Sequence, residues 1–507
     1  MTFPRRSGVL LHPTSLPGPF GSGDLGATAY HFVDWLQVGR QSLWQVLPLS
    51  GIGPGNSPYM SPSAFAGNEL LIDLVQLRDA SWLGDEDLVP GPALHAAAVD
   101  YGAAQAFRMP RLRKAADQFF AHAQADRWSA FTTFCLDECD WLDDYALFMA
   151  LSGAGGAYGG TWQDWPSALA RREPAALHAA IAQHAREIAF WKFCQWQFFA
   201  QWAALKSYAN ARGVTIIGDV PIFVAAHSAD VWSHQHLFDL LPDGHPRVVA
   251  GVPPDYFSAS GQLWGNPLYL WSAHQAEIYR WWAARMRRTL TTCDIVRIDH
   301  FRAFDSYWEV PADAETAIDG HWQGGPGMAF FEAIDAALGF TPGELPIIAE
   351  DLGMITREVR ALREAVGLPG MRILQFAFDG QPDNLYLPHN FDANTVVYTG
   401  THDNDTTRGW WDALGDGERR YVRHYLGGAD EEIEWSLIRA ASASVAAQCI
   451  FPMQDVLGLD SAQRMNRPGV GEGAWEWRFV WDQVLPRHAE RLAELTRLYG
   501  RCPENTM

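Results

Sequence analysis

Four short stretches of the chain end in acids that a reaction could use. They are Asp219 in VTIIGDVP, Asp299 in DIVRIDHF, Glu350 in LPIIAEDLG and Asp403 in NTVVYTGTHD. Each follows an apolar run that reads as a buried strand. One acid at a strand end is an ordinary turn or helix-capping residue. Several at the same end of one sheet repel one another, and the cluster then needs a cation or a metal within it. Arg297 supplies a cation: two residues before Asp299 on a strand, it shares that residue's face. An arginine beside a carboxylate keeps it ionised and fit to be a nucleophile. Glu350 follows Ile347-Ile348-Ala349. Apolar surroundings and nearby anions raise a carboxyl's pKa, as a general acid requires. Asp219 reads as structural.

Two chemistries use such a ring. In glycoside chemistry two carboxyl groups flank the scissile bond. In metal-assisted hydrolysis carboxylates and histidines bind a divalent ion, with His402, Asp403 and Asp405 as the ligands on offer. Arg297 favours the first, because a fixed cation beside a metal cation is costly. Loss of activity in chelator, restored by a divalent ion, is the signature of the second.

The elements that must hold these residues recur along the chain. Eight apolar, β-branched or aromatic runs lie at 7–13, 41–49, 214–224, 293–301, 345–353, 371–378, 394–403 and 449–458. Continuous apolar runs alternating with helical stretches indicate parallel strands in βα units, and eight is the count of a (β/α)8 TIM barrel. One intervening helix reads from Thr356 to Val366 and stops at Gly367-Leu-Pro-Gly370; another covers 190–213 and closes at Gly213. The spacing is uneven, so residues 1–507 read as one catalytic barrel with inserted, mostly helical subdomains at about 50–205, 225–290 and 302–343. Such insertions wall the C-terminal face, where barrel active sites lie.

Composition narrows the partners. The 507-residue chain is 48% hydrophobic and 19% charged, with a formal charge of −21, which excludes a phosphate backbone as partner. Six cysteines without a CxxC pair suit a reducing cytoplasm, and Cys135 and Cys139 are a weak metal hint. The N-terminus lacks the pattern of a signal peptide, and no apolar stretch has transmembrane length. The expectation is a cytoplasmic protein with no membrane partner. The 23 tryptophans, 27 phenylalanines and 15 tyrosines serve a large core first, though such rings also stack on sugars.

Beyond the acids, whole segments are similar to one family. LLHPTSLPGPFGSGDLG, SPYMSPSAFAGNELLIDL, GDVPIFVAAHSADVW, VPPDYFSASGQLWGNPLYLW, VRIDHFRAFDSYWEVP, IIAEDLG, YTGTHDNDTTRGWW and RMNRPG run in order over nearly the full length. They resemble amylomaltase, the 4-α-glucanotransferase branch of the α-amylase clan. The resemblance implies a retaining transfer of α-1,4-glucan segments to the 4-hydroxyl of glucose or another glucan. It implies Asp299 as nucleophile, Glu350 as acid/base and Asp403 as transition-state stabiliser, with no metal and no cofactor. Arg297 would orient Asp299; His402 would reach sugar hydroxyls only if the chain bends there. Tyr59 would be a sugar-stacking platform, and Asp255, Tyr256, Phe257 and Trp264 a loop over the donor site. His300 joins the sugar-binding set, although it and His227 suit structural roles equally well.

Two positions depart from the family pattern: Ala303 stands where many relatives have glycine, and Ala474 where asparagine is frequent. The rival within the clan is an α-glucan hydrolase, in which water resolves the intermediate. The acids are common to both.

Overall fold

The computed structural model describes residues 3–91, 94, 97–152, 160–254, 258–428, 432–471 and 473–502. Twelve strands among them are numbered in chain order: β1 (Arg6–Leu10), β2 (Leu43–Gln45), β3 (Thr215–Pro221), β4 (Val248–Val252), β5 (Gln262–Pro267), β6 (Ile295–Asp299), β7 (Ser306–Pro311), β8 (His321–Gly324), β9 (Ile347–Ala349), β10 (Gly370–Ile373), β11 (Thr395–Tyr398) and β12 (Gln448–Pro452). Eight close a parallel barrel in the order β1-β2-β3-β6-β9-β10-β11-β12. All eight contain a segment of the expected apolar runs. Strands such as β11 and β12 are buried along their whole length, as parallel strands covered on both faces must be. Closure is tight at β1: Gly8 pairs with Leu43, and a Cβ on Gly8 would lie 2.2 Å from the Leu43 carbonyl oxygen.

Barrel helices include Ala27–Val38, Ala185–Ala211, Gln275–Thr292, Met328–Leu338, Arg357–Val366, Ile433–Ala443 and Pro486–Leu498. The helix expected at 356–366 is capped as its sequence indicates. The Thr356 hydroxyl accepts from the Val359 N–H, and Gly367 ends it at φ +81°. The sixth repeat differs: between β10 and β11 there are only two short 3-10 turns, Leu374–Phe376 and Pro388–Asn390. The expected insertion ends at 205 and 290 fall inside the helices Ala185–Ala211 and Gln275–Thr292. An insertion helix and a barrel helix carry the same apolar periodicity, so the pattern does not mark where one gives way to the other.

The connection after β2 holds the helices Tyr101–His122, Ala125–Asp137 and Cys139–Leu151. The next two insertions pool their strands into one four-stranded antiparallel sheet, β5-β4-β7-β8, with a small apolar cluster of Val249, Val310 and Ala317. This sheet is absent from the sequence reading because β4 and β7 find each other only across β6. Among the described residues no helix is long and apolar enough to cross a membrane.

Candidate active site

Strand register brings the first charges together. Across β3 and β6, Asp219 pairs with Arg297 and Pro221 with Asp299; across β6 and β9, Ile298 pairs with Ala349. Paired residues on neighbouring parallel strands point the same way, so Asp219, Arg297 and Asp299 share one face. Arg297 Nη1 donates to Asp219 Oδ1 at 2.8 Å and Oδ2 at 2.6 Å, while Nη2 donates to Asp299 Oδ1 at 2.8 Å. Arg297 is only 3% exposed. Burial alone would lower its pKa, but the carboxylates of Asp219 and Asp299 outweigh it and hold the guanidinium charged. Asp299, at the end of β6, keeps 29% of its side chain exposed.

Glu350 stands one residue past the Ile298–Ala349 pair, next to Asp299 on the adjacent strand end. His300 turns at φ +55°, ψ 47°, a left-handed conformation uncommon for a residue with a side chain. Its N–H donates to Glu350 Oε2 at 2.7 Å, and the Leu352 N–H donates to Oε1 at 2.8 Å. Both bonds favour the carboxylate. Burial, and then the charge of Asp299, push the other way and win, raising the Glu350 pKa to about 8. The pair therefore presents one arginine-bound carboxylate and one carboxyl protonated at neutral pH. The His300 ring meets Trp264 edge-on at 4.8 Å, and burial holds its pKa down at about 4, so it is neutral.

Asp403 arrives differently. β11 stops at Tyr398, short of the expected run to 403. The chain then bends, tied by Asn404 Oδ1, which accepts from the Thr401 N–H and hydroxyl, each at 2.9 Å. The chain thus bends at the position of His402. Asp403 Oδ1 accepts from Asn466 Nδ2 at 2.6 Å, and the Asp403 carbonyl from Arg464 Nη2 at 2.9 Å. Its side chain is 44% exposed.

A continuous polar chain joins the two regions. The Tyr59 hydroxyl donates to Asp219 Oδ2 at 2.9 Å and lies 3.0 Å from His402 Nε2. Its one hydrogen is spent on Asp219, so Nε2 is the donor to Tyr59; it also lies 3.4 Å from Asp403 Oδ2. Asp299, Arg297, Asp219, Tyr59, His402 and Asp403 thus form one sequence of contacts. The Tyr59 ring stacks on His402 at 5.4 Å and 18°. One face of the expected sugar platform is therefore taken by protein. Asp219 is the member that ties Arg297 to Tyr59.

Other acids and histidines near the site separate here. Asp351, next to Glu350 in the chain, turns away to the Met371 N–H at 2.7 Å and to Arg363 and Arg372. Asp405 accepts the Ser461 hydroxyl at 2.5 Å, and the Nε2 of His402 is engaged by Tyr59. His227 Nδ1 accepts the Trp162 N–H at 3.1 Å, and its ring packs on Phe148. Asp255, Tyr256 and Phe257 lie outside the described residues. Tyr59, Trp264, Asp299, His300, His402 and Asp403 line one cleft of about 780 Å³, joined by Asn466 and Trp475. Those last two were not among the expected site residues. The stretch RMNRPG and the tryptophan after Ala474 were visible, but nothing in a linear reading placed them beside Asp403.

A closed parallel barrel that places an arginine-paired aspartate beside a glutamate of raised pKa on adjacent strand ends fits a class: barrel enzymes that break and remake glycosidic bonds. The family model described as 4-alpha-glucanotransferase matches residues 11–482, and the chain belongs to that family. It is 48% identical to a 4-alpha-glucanotransferase of Thermus thermophilus over 509 aligned residues, covering 99% of this chain and 100% of the relative. A Synechocystis 4-alpha-glucanotransferase is also 48% identical, with 98% of each chain covered. Among solved structures, amylomaltase from Streptococcus agalactiae in complex with acarbose superposes with a TM-score of 0.93 at 38% identity, covering 98% of this chain and 100% of the other.

Proposed function

We propose that Asp299 is the nucleophile, Glu350 the acid/base and Asp403 the transition-state stabiliser of a 4-alpha-glucanotransferase. The enzyme moves α-1,4-glucan segments from a donor chain to the 4-hydroxyl of glucose or another glucan. In the first step an Asp299 oxygen attacks the anomeric carbon, the glycosidic C–O bond breaks and Glu350 gives its proton to the departing O4. In the second, the acceptor 4-hydroxyl attacks the same carbon, Glu350 takes its proton and the bond to Asp299 breaks. Two inversions give retention. Asp403 lowers the energy of the positive, oxocarbenium-like state between them. The observation that carries this reading is the pairing of Ile298 with Ala349, which seats Arg297-bound Asp299 beside the protonated Glu350.

Around the trio, Arg297 orients Asp299, and His402 and His300 flank the sugar. Tyr59 and Trp264 offer aromatic surface in the cleft, and Asp255, Tyr256 and Phe257 belong to a cover over the donor. We read 1–507 as one catalytic unit, with the insertions near 50–205, 225–290 and 302–343 as walls, working in the cytoplasm. Transfer prevails over hydrolysis because a positioned acceptor has an effective molarity of about 10⁵–10⁸ M, far above that of water, and a covered cleft excludes water. Incubation with pure maltotriose tests this. The expected products are glucose and a ladder of longer maltooligosaccharides, with little net gain in reducing ends. A steady rise in reducing ends without longer products would identify a hydrolase.

A further inference from the structure

Trp475 combines three features. Its backbone lies at φ +67°, a left-handed conformation in which a bulky side chain is strained, yet it is 95% buried by its 5% exposure. Two bonds hold it there: its N–H donates to the Met465 carbonyl at 2.6 Å, and its own carbonyl accepts the Tyr101 hydroxyl at 2.9 Å from 374 residues away. From that position the indole lies against both rings of the polar chain, 5.6 Å from Tyr59 and 5.7 Å from His402. Backbone strain persists only where the surroundings enforce it, and it gathers where geometry matters for function.

The anchor of Trp475 is also the anchor of Asp403. Met465 takes the Trp475 N–H; next to it, Asn466 donates its side-chain amide to Asp403 Oδ1 and its N–H to the His402 carbonyl at 3.1 Å. One strip of chain thus fixes the indole and the carboxylate together. We propose that Trp475 is a positioning residue, whose strained backbone presses the indole onto Tyr59 and His402 and so sets the aim of Asp403. This rests on the role assigned to Asp403 above. The bland alternative is that Trp475 fills space or stacks on sugar; both make different demands on the kinetics.

The test uses the full-length enzyme and five variants. Trp475→Gly and Trp475→Ala remove the same indole, but only glycine relieves a positive φ. The glycine variant should therefore melt above the alanine one, while both lose activity alike. On maltotriose kcat should fall by about 10²-fold with KM nearly unchanged, the scale of an angstrom-sized misplacement. Trp475→Phe should restore most of kcat. Tyr101→Phe, which leaves the cleft lining untouched, should lower kcat by a smaller factor without raising KM. A rise in KM at constant kcat would make Trp475 a sugar platform and overturn the proposal; normal kcat in folded Trp475→Gly would overturn it too. Asp403→Asn run in parallel separates the levels. If it is inactive while the Trp475 variants are normal, only this inference fails; if it is fully active, the assignment of Asp403 fails first.

Discussion

The Asp299 side and the Asp403 side of the cleft are built by different means. Asp299 and Glu350 sit at the ends of β6 and β9, where strand register and a fully engaged arginine fix them. Asp403 sits on a bend five residues past β11, more exposed, and is held by side chains from the distant 464–466 segment. The difference suits the chemistry proposed for these residues. Bond formation and proton transfer require close placement of reacting atoms, and strand ends in a closed barrel offer little freedom. A charge acting on an oxocarbenium-like state works through space, so a loop fixed by remote contacts suffices. The polar chain through Asp219, Tyr59 and His402 joins the rigid side to the loop.

That contrast can be broken from its strongest side. Asp299→Asn should keep sugar binding but lose the covalent step, lowering kcat by roughly 10³-fold or more; near-normal transfer by the folded variant would remove Asp299 from the role. Glu350→Gln should be equally poor on glucans, since its amide cannot protonate a leaving sugar. On an α-glucosyl fluoride, whose leaving group needs no proton, it should react and accumulate glycosyl-enzyme visible by intact mass. Equal loss on both donors would count against the assignment.

Asp219→Asn tests whether the strand side is also part of the fold's stability. Removing one partner of a buried ion pair costs about 3–5 kcal/mol, so urea unfolding should move sharply to lower denaturant. Asn466→Ala should do the opposite: little change in unfolding, with a loss of about tenfold or more in kcat from a misaimed Asp403. If the two variants behaved alike in both measurements, the distinction between the regions would be lost.

The mildest test is pH. The Glu350 pKa is raised to about 8, chiefly by burial and then by Asp299. The first step as proposed needs its proton, so kcat/KM on maltotriose should decline as pH rises through that value. The limb should be missing when Glu350→Gln is assayed with the fluoride. An alkaline limb unchanged in that variant would assign the titration to another group.

The features legible along the chain are local and periodic. Eight apolar runs announced the barrel, the two-residue step from Arg297 to Asp299 placed both on one face, and the isoleucines before Glu350 foretold its raised pKa. These follow from alternation along a strand and from the environment a residue's neighbours create. Tertiary structure alone decided the rest. The bend that turns His402, the sharing of Arg297 between Asp219 and Asp299, the antiparallel sheet assembled from two insertions, and the approach of Asn466 and Trp475 to Asp403 all join residues far apart in the chain. Hydrogen bonds and ring contacts of that kind depend on distances that chain closure sets, and no pattern along a linear sequence contains those distances.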